Sequence, residues 1–347
     1  MDSTLWSDIK GHPLGFYGVC RSCLTNGGTW VPDTIRQAGE SRKMQRKCLV
    51  FASLMIIMIL SALSCQPSAT ESKKSIIVTY SILGSVVKDL VGDKANVTVS
   101  IPNGLDPHEW EPSAKDIEAI NKANLVIENG LDLEEGMLKT LETAKSQGVR
   151  FFTASDYITV RHVSPGEGIP ASDPDHAIGA PDPHLWLDPL NMKAIVGALA
   201  TVLTRDLNLN ISSQAQSLES QLDSLNTEVA DIVSAIPEAD RKLVTGHESM
   251  GYFARRYDFK MVGVIIPSLS SQAGVSAADL AALKKAIEEN QVKAIFTEVG
   301  TSPAVAKAIG DETGVKVIEL TVHALPSDGS YFTFMRELAI TIADALK

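Results

Sequence analysis

The chain has 347 residues, which is long enough for two domains of ordinary size. Its composition, 44% hydrophobic and 21% charged, is typical of a globular protein with a substantial core. The formal net charge of −11 argues against nucleic acid as a partner, because phosphate binding needs a basic surface. An acidic surface attracts cations, but it is also common among soluble proteins, so charge alone does not identify the function.

All four cysteines lie within the first 65 residues, so the rest of the chain cannot contain a disulfide of its own. Cys20 and Cys23 have the CxxC spacing of many zinc sites. No second pair exists to complete such a site, and a lone pair is weak evidence for one. The cysteines therefore indicate neither a disulfide framework nor a cysteine-based metal site in the main part of the chain.

The segment 44–64 is predicted to be a signal peptide. A basic stretch at 42–47 precedes an apolar run at 48–60, and small residues follow before Cys65. The run is shorter than the ~20 apolar residues of a membrane-spanning helix. Its end resembles a bacterial lipoprotein signal, which implies lipidation of Cys65. An ordinary signal peptide and an uncleaved anchor are the alternatives.

The segments that flank the signal peptide are not expected to belong to the folded protein. Residues 1–43 lack apolar periodicity and precede a better start at Met44, so we interpret them as a non-native or disordered extension. Residues 65–74 are polar and small, which predicts a flexible tether.

Strands and helices alternate twice along the remaining chain, which predicts two α/β lobes with mostly parallel sheets. The first lobe is assigned to 75–189 and the second to 238–347. The predicted strands of the first lobe are 75–80, 97–101, 125–130 and 150–152. Those of the second lobe are 242–245, 261–264, 294–297 and 315–320.

A helical linker at 190–237 is predicted between the lobes. Its second part, 212–236, has apolar residues at helical spacing, including Leu218, Leu222 and Leu225. A helix of about 25 residues is ~37 Å long, more than one small lobe needs. The expected fold is therefore two Rossmann-like lobes joined by one long rigid helix.

Four histidines, each at a predicted strand end or loop, are the main candidates for a functional site. They are His108, His184, His247 and His323. They lie far apart in the chain, so only the whole fold can bring them together. In open α/β lobes, ligands bind beyond the ends of the strands, which suits a site between two lobes. Four neutral imidazoles can close a tetrahedral shell around a borderline first-row metal.

The segments around these histidines resemble those of the metal-binding solute-binding lipoproteins of bacterial zinc and manganese ABC importers. The motifs are DPHEWEP at 106–112, HLWLDP at 184–189, and His247 followed by GYFARRY at 251–257. The resemblance covers residues 75–347. It implies an extracytoplasmic, non-enzymatic protein whose partners are an ABC permease and its ATPase. It also implies one metal ion held between two lobes by one ligand from each of four loops. A monomer on the membrane or in the periplasm is expected.

The resemblance implies that His108, His184 and His247 are metal ligands, but the residue at the fourth ligand position differs from that of the family. That position is usually a carboxylate in the turn before the last helix, where this chain has His323. Glu298 and Asp328 are the alternative ligands. Because an imidazole-rich site favours zinc and oxygen ligands favour manganese, Zn²⁺ is the expected ion and Mn²⁺ the alternative.

Several side chains near the histidines are predicted to support them. Carboxylates that accept hydrogen bonds from ligating imidazoles would orient the rings. The candidates are Asp106, Glu109, Asp188 and Glu248, with capping of a helix as an equal alternative for Asp188. Trp110 and Trp186 are expected to wall the site. His176 lies in an acidic loop at 164–183, and His162 lies just before it. We expect this segment to be a plain solvated loop and not a metal-capturing one.

Two other functions use similar residues. A zinc hydrolase would need three ligands, an open position for water and a general base, for which Glu248 beside His247 is a candidate. The chain has no HExxH motif at that point, and a fourth histidine argues for a closed site. A metal-binding adhesin would share the site chemistry and is not separated from a transport protein by sequence.

Overall fold

The computed structural model describes residues 49, 51, 55, 73–164, 167 and 178–347. Leu49, Phe51 and Met55 are helical. The predicted extension at 1–43, the rest of the signal peptide, Cys65 and most of the tether lie outside the described residues, as does His176. Residues 72–347 form one compact unit. Within the described residues, no helix combines the length and apolar character that crossing a bilayer requires.

The first half of this unit contains a four-stranded parallel sheet in the order β2-β1-β3-β4. Its strands are β1 (Lys74–Tyr80), β2 (Ala95–Ile101), β3 (Leu125–Glu128) and β4 (Phe151–Thr153). Its helices are α1 (Ser81–Val91), α2 (Ala114–Lys122) and α3 (Leu138–Ser146). The last five residues of β1 are all buried, as expected for a central parallel strand covered on both faces.

The second half has parallel pairs β5–β6 and β7–β8, with β5 beside β7. Its strands are β5 (Lys242–Thr245), β6 (Lys260–Val264), β7 (Ala294–Thr297) and β8 (Lys316–Glu319). Its helices are α6 (Gly251–Tyr257), α7 (Ala277–Asn290), α8 (Pro303–Thr313) and α9 (Tyr331–Leu346). The two α/β halves confirm the predicted fold class.

Two helices connect the halves: α4 (Pro189–Leu207) and α5 (Ser212–Ser234). Asp188 caps the start of α4, and Asn208, at φ 57°, ends it in the left-handed conformation. The 23 residues of α5 span ~35 Å at 1.5 Å per residue. Its buried stripe packs against α1, α4 and α9. One apolar cluster therefore runs through both halves and the long helix, which makes the helix a rigid connection.

Candidate metal centre

Four imidazoles meet between the two halves of the unit. His108, His184, His247 and His323 each offer one ring nitrogen, and these four atoms all lie within 4.8 Å of one another. Nε2 of His184 is 3.4 Å from Nε2 of His108 and 3.0 Å from Nε2 of His247. Ligand atoms in a tetrahedral zinc site with nitrogen ligands are about 3.3 Å apart. All four residues are at most 4% exposed.

Each histidine comes from a loop at an end of a secondary-structure element, as the sequence predicts. His108 lies in the loop after β2, and His184 lies just before α4. His247 follows β5, and His323 follows β8. The carboxyl ends of parallel strands meet at one edge of a sheet, so three of these loops open onto the cleft.

A carboxylate faces the ring of His108. Nδ1 of His108 lies 3.0 Å from Oε1 of Glu135 in the turn before α3. The backbone N–H of His108 donates to Oδ1 of Asp106 at 2.9 Å, and Ser271 donates its hydroxyl to the other oxygen of Asp106. When Nδ1–H donates to Glu135, Nε2 is left unprotonated and turned toward the other three rings.

His184 is held by Asp182. Oδ1 of Asp182 lies 2.9 Å from both the backbone nitrogen and Nδ1 of His184. Burial raises the pKa of Asp182 to about 6, although the Arg161 guanidinium opposes this shift. Burial, together with the neighbouring imidazoles, lowers the pKa of His184 well below its usual value. His184 is therefore neutral near pH 7, the form that coordinates metal.

Glu298 faces His247. Oε1 of Glu298 lies 2.9 Å from Nδ1 of His247, off the direction of a hydrogen bond, and accepts the backbone N–H of His247 at 2.8 Å. Ser249 donates its hydroxyl to the same carboxylate. Burial disfavours the charged imidazole, but Glu298 outweighs burial and raises the pKa of His247.

His323 is the one imidazole of the four with no carboxylate contact among the described residues. Both of its ring nitrogens are buried, and neither has a hydrogen-bond partner. Its ring stacks on His247 with centroids 5.4 Å apart. Burial and the neighbouring His247 lower the pKa of His323 to about 4. Buried polar atoms are normally satisfied, so the ring nitrogen of His323 that meets the other three imidazoles fits a ligand that binds in the cluster.

The two alternative fourth ligands lie elsewhere. Glu298 contacts His247 from behind and is not among the four groups that converge. Asp328 is exposed and accepts hydrogen bonds from Thr333 and from the backbone of Ser330, at the start of α9. Its carboxylate thus supports the helix N-terminus.

The four carboxylates predicted to orient imidazole rings make other contacts. Asp106 accepts the backbone N–H of His108 instead of a ring N–H. Glu109 is exposed. Asp188 caps α4 and accepts two hydrogen bonds from the Nε of Arg256 and one from its Nη2, which confirms the capping alternative. Glu248 is fully buried and lies 3.7 Å from Arg161. Among the described residues, none of these four carboxylates makes a hydrogen bond or ion pair with a ring nitrogen of the four histidines.

Sequence reasoning missed the carboxylates that face the rings, namely Glu135 and Asp182, and gave Glu298 only a secondary place. A signal for Asp182 exists, because Asp-Pro-His occurs at both 106–108 and 182–184. In each copy the aspartate accepts the backbone N–H of the histidine at 2.9 Å. Glu135 is brought to His108 by the turn after β3, which no local pattern reveals.

Trp186 forms a wall of the centre, as predicted. Its side chain is fully buried, and its ring lies 5.4 Å from that of His184 and 5.7 Å from that of His323. Its indole N–H donates to the carbonyl of Val322, which ties it to the His323 loop. Trp110 is only partly buried. His162 is exposed, pairs with Pro181 in an isolated bridge, and is not one of the four residues that converge.

Comparisons with known proteins identify the family. The family described as zinc-uptake complex component A, periplasmic (ZnuA), matches residues 76–345. The chain is 30% identical over 280 residues to the zinc-binding lipoprotein AdcA of Streptococcus pneumoniae, which covers 79% of this chain and 54% of AdcA. This chain thus spans about half the length of AdcA.

Two further relatives match over nearly their whole length. The manganese-binding lipoprotein MntA of Halalkalibacterium halodurans is 25% identical over 315 residues, covering 87% of this chain and 99% of MntA. The structure of the periplasmic zinc binding protein TroA from Treponema pallidum matches with a TM-score of 0.65 and 27% identity, covering 79% of this chain and 99% of that structure. The family match spans nearly all of the compact unit, so the chain belongs to the ZnuA family of metal-uptake components and is not an enzyme.

Proposed function

We propose that this protein binds one divalent transition-metal ion outside the cytoplasm and delivers it to the permease of an ABC importer. AdcA and MntA, which are similar to this chain, are named as metal-binding lipoproteins. The metal ion is the substrate, and the permease with its ATPase is the partner. A monomer tethered by a lipid at Cys65 fits this role.

The observation that supports the proposal best is the pair of unpartnered ring nitrogens on buried His323. One of the two converges with one ring nitrogen from each of the other three imidazoles, all within 4.8 Å. Burying a polar atom without a partner costs ~1–3 kcal/mol, and a bound cation removes that cost for the nitrogen that coordinates it. A hydrolytic zinc site would instead keep one position open for water beside a general base. Glu248, the base that such an enzyme would need, faces Arg161.

Zinc is the ion we propose. Four imidazoles converge, and the nearby carboxylates contact the backs of rings, so the donor set is nitrogen only. Manganese prefers oxygen ligands, whereas imidazole suits zinc. The relatives include proteins named for each metal, which keeps Mn²⁺ as the alternative.

The test compares His323→Ala with His162→Ala. Zinc affinity is measured by competition with a chromophoric chelator, and stoichiometry by native mass spectrometry. The wild type should hold one ion per chain. His323→Ala leaves three ligands and should weaken zinc binding at least about tenfold. His162→Ala should leave the zinc affinity unchanged, because His162 is exposed. Equal affinities for the two variants, or turnover of ester or peptide substrates, would contradict the proposal.

A further inference from the structure

A buried arginine lies beside the metal centre. Arg161 is 3% exposed and lies between β4 and α4. Its Nη1 donates to Oδ2 of Asp182 at 2.9 Å, and its Nη2 donates to Glu167. The same Nη2 lies 3.7 Å from Oε1 of Glu248. One guanidinium thus faces three carboxylates, two of which are fully buried.

Arg161 is linked to the metal centre through Asp182, which contacts both the guanidinium and the ring of His184. The two oxygens of Asp182 are divided between the guanidinium and His184. A carboxylate that is fixed on one side presents its other oxygen in a fixed direction, which sets the orientation and tautomer of the imidazole. The planar fork of arginine suits this role because its donors are preorganised.

Arg161 also contacts the C-terminal side. Its backbone N–H donates to the hydroxyl of Tyr252 in α6 at 2.9 Å. Glu248, which follows His247 directly, has two buried carboxylate oxygens with no hydrogen-bond partner. At Gly251, a β-carbon would overlap the guanidinium, so only glycine leaves room for Arg161. The segment that follows His247 therefore packs directly against the Arg161 side chain.

Loss of the guanidinium would leave Asp182, a fully buried carboxylate, without its positive partner. Removing one member of a buried ion pair is far more costly than the pair itself is stabilising, because an uncompensated charge remains. Asp182 would lose the hydrogen bond that fixes its second oxygen, which would release the constraint on His184. Glu248 would lose the guanidinium that lies 3.7 Å from it, so the His247 loop would no longer be tied to Asp182.

We propose that Arg161 is a positioning residue that holds His184 and the His247 loop together across the cleft and thereby slows metal release. This inference rests on the proposed function, since it concerns the same centre. The coordinating atoms belong to the histidines, and Arg161 acts through Asp182 and Glu248.

The test measures the rate at which zinc leaves the loaded protein after excess chelator is added in a stopped-flow instrument. Arg161→Gln should release zinc about 10–100 times faster than wild type, the usual effect of losing support behind a metal ligand. Arg256→Gln is the matched control. Arg256 also joins α6 to the start of α4, but it pairs with Asp188, which faces none of the four rings. Its release rate should stay close to that of wild type.

Cobalt absorption distinguishes positioning from a general loss of stability. Co²⁺ bound to Arg161→Gln should show shifted d–d bands, whereas the Arg256→Gln spectrum should match wild type. In the Asp182→Asn/Arg161→Gln double variant, zinc release should be slower than the two single effects combined would give, because Arg161 acts on His184 through Asp182. A wild-type rate and spectrum in folded Arg161→Gln, or additive effects in the double variant, would overturn the inference.

Glu248→Gln provides a second variant in case Arg161→Gln does not fold. It keeps the size and shape of the side chain, so folding should be retained. We expect faster zinc release than in wild type, because one of the two carboxyl oxygens beside the guanidinium of Arg161 is replaced by an NH2 group, which cannot accept a hydrogen bond from it. A wild-type rate would overturn the cross-cleft part of the inference. A wild-type protein that binds neither zinc nor cobalt would instead refute the proposed function itself.

Discussion

Three imidazoles of the centre have a carboxylate behind Nδ1, and the fourth, His323, has none among the residues that the structure describes. The carboxylates are Glu135, Asp182 and Glu298. Such partners make an imidazole a better ligand and fix which nitrogen points to the metal. His323 therefore relies on the metal and on its packing against His247 and Trp186 for its position.

His323 should determine metal preference. Replacement with aspartate substitutes an oxygen donor for an imidazole, so His323→Asp should lower the preference for zinc over manganese. We expect the ratio of the two dissociation constants to change at least about tenfold, or ~1.4 kcal/mol. Calorimetric competition measures this ratio. His162→Asp adds the same carboxylate at an exposed position and should leave the ratio unchanged. An unchanged ratio in His323→Asp would show that this residue does not select the metal.

Glu134 should make the stability of the metal-free protein depend on pH. It is buried, and burial raises the pKa of Glu134 from 4.5 to about 7, although the hydroxyl of Thr79 and the backbone N–H of Asn129 donate to its Oε1. A folded-state pKa above the unfolded value means that its stabilising contribution is complete below pH 4.5. That contribution is lost as the pH rises through 7.

The Glu134→Gln variant tests this dependence. It keeps Oε1 as an acceptor and removes the titration, so its free energy of unfolding should fall by about 2–3 kcal/mol less than that of wild type between pH 5 and pH 8. Urea unfolding of the metal-free proteins measures the difference. Parallel pH profiles for the two proteins would contradict the assigned shift.

The sequence was sufficient to predict the four histidines but not their partners. Each histidine stands in a short motif after a strand or before a helix, so its place at the cleft could be inferred. The partner of an imidazole depends on how loops distant in the chain close over one another. Glu135 lies 27 residues beyond His108, and Glu298 lies 51 residues beyond His247. Residue type alone cannot distinguish these carboxylates from Glu109, which is exposed.

At the scale of elements, the long helix α5 connects the two halves through its buried stripe. Helical spacing of leucines predicts this stripe well, and the predicted bounds 212–236 differ from the observed end, Ser234, by two residues. The ends of strands are predicted less accurately from the sequence than this helix is. The predicted third strand, 125–130, ends at Glu128 because the Asn129 side chain turns to bond Pro183 and Gly130 has a φ of 82°.

Truncation of the stripe should weaken the fold without changing the metal centre. Leu222 is fully buried in α5, so Leu222→Ala should lower the free energy of unfolding by ~2–5 kcal/mol through lost contacts and a cavity. Urea unfolding measures this loss. Zinc affinity of the folded protein should not change, because α5 provides none of the four imidazoles. Ser220 is exposed in the same helix, so Ser220→Ala provides the control. Its free energy of unfolding should match that of wild type within ~0.5 kcal/mol.

At the scale of the whole molecule, the metal centre joins two halves that already share a core. Alternation of strands and helices allowed the two-lobed α/β fold to be predicted. The apolar cluster that runs through both halves limits their relative motion, so metal capture and release must depend on the loops that carry the histidines. Arg161 and Trp186 connect those loops, since one reaches Tyr252 and the other reaches Val322.

The most direct test of the four-imidazole centre is X-ray absorption at the zinc edge of the loaded protein. We expect four nitrogen scatterers at about 2.0 Å with the outer-shell pattern of four imidazoles. His323→Ala should reduce the imidazole count to three. A wild-type spectrum with three or fewer imidazoles and one or more oxygen ligands, unchanged in His323→Ala, would contradict it.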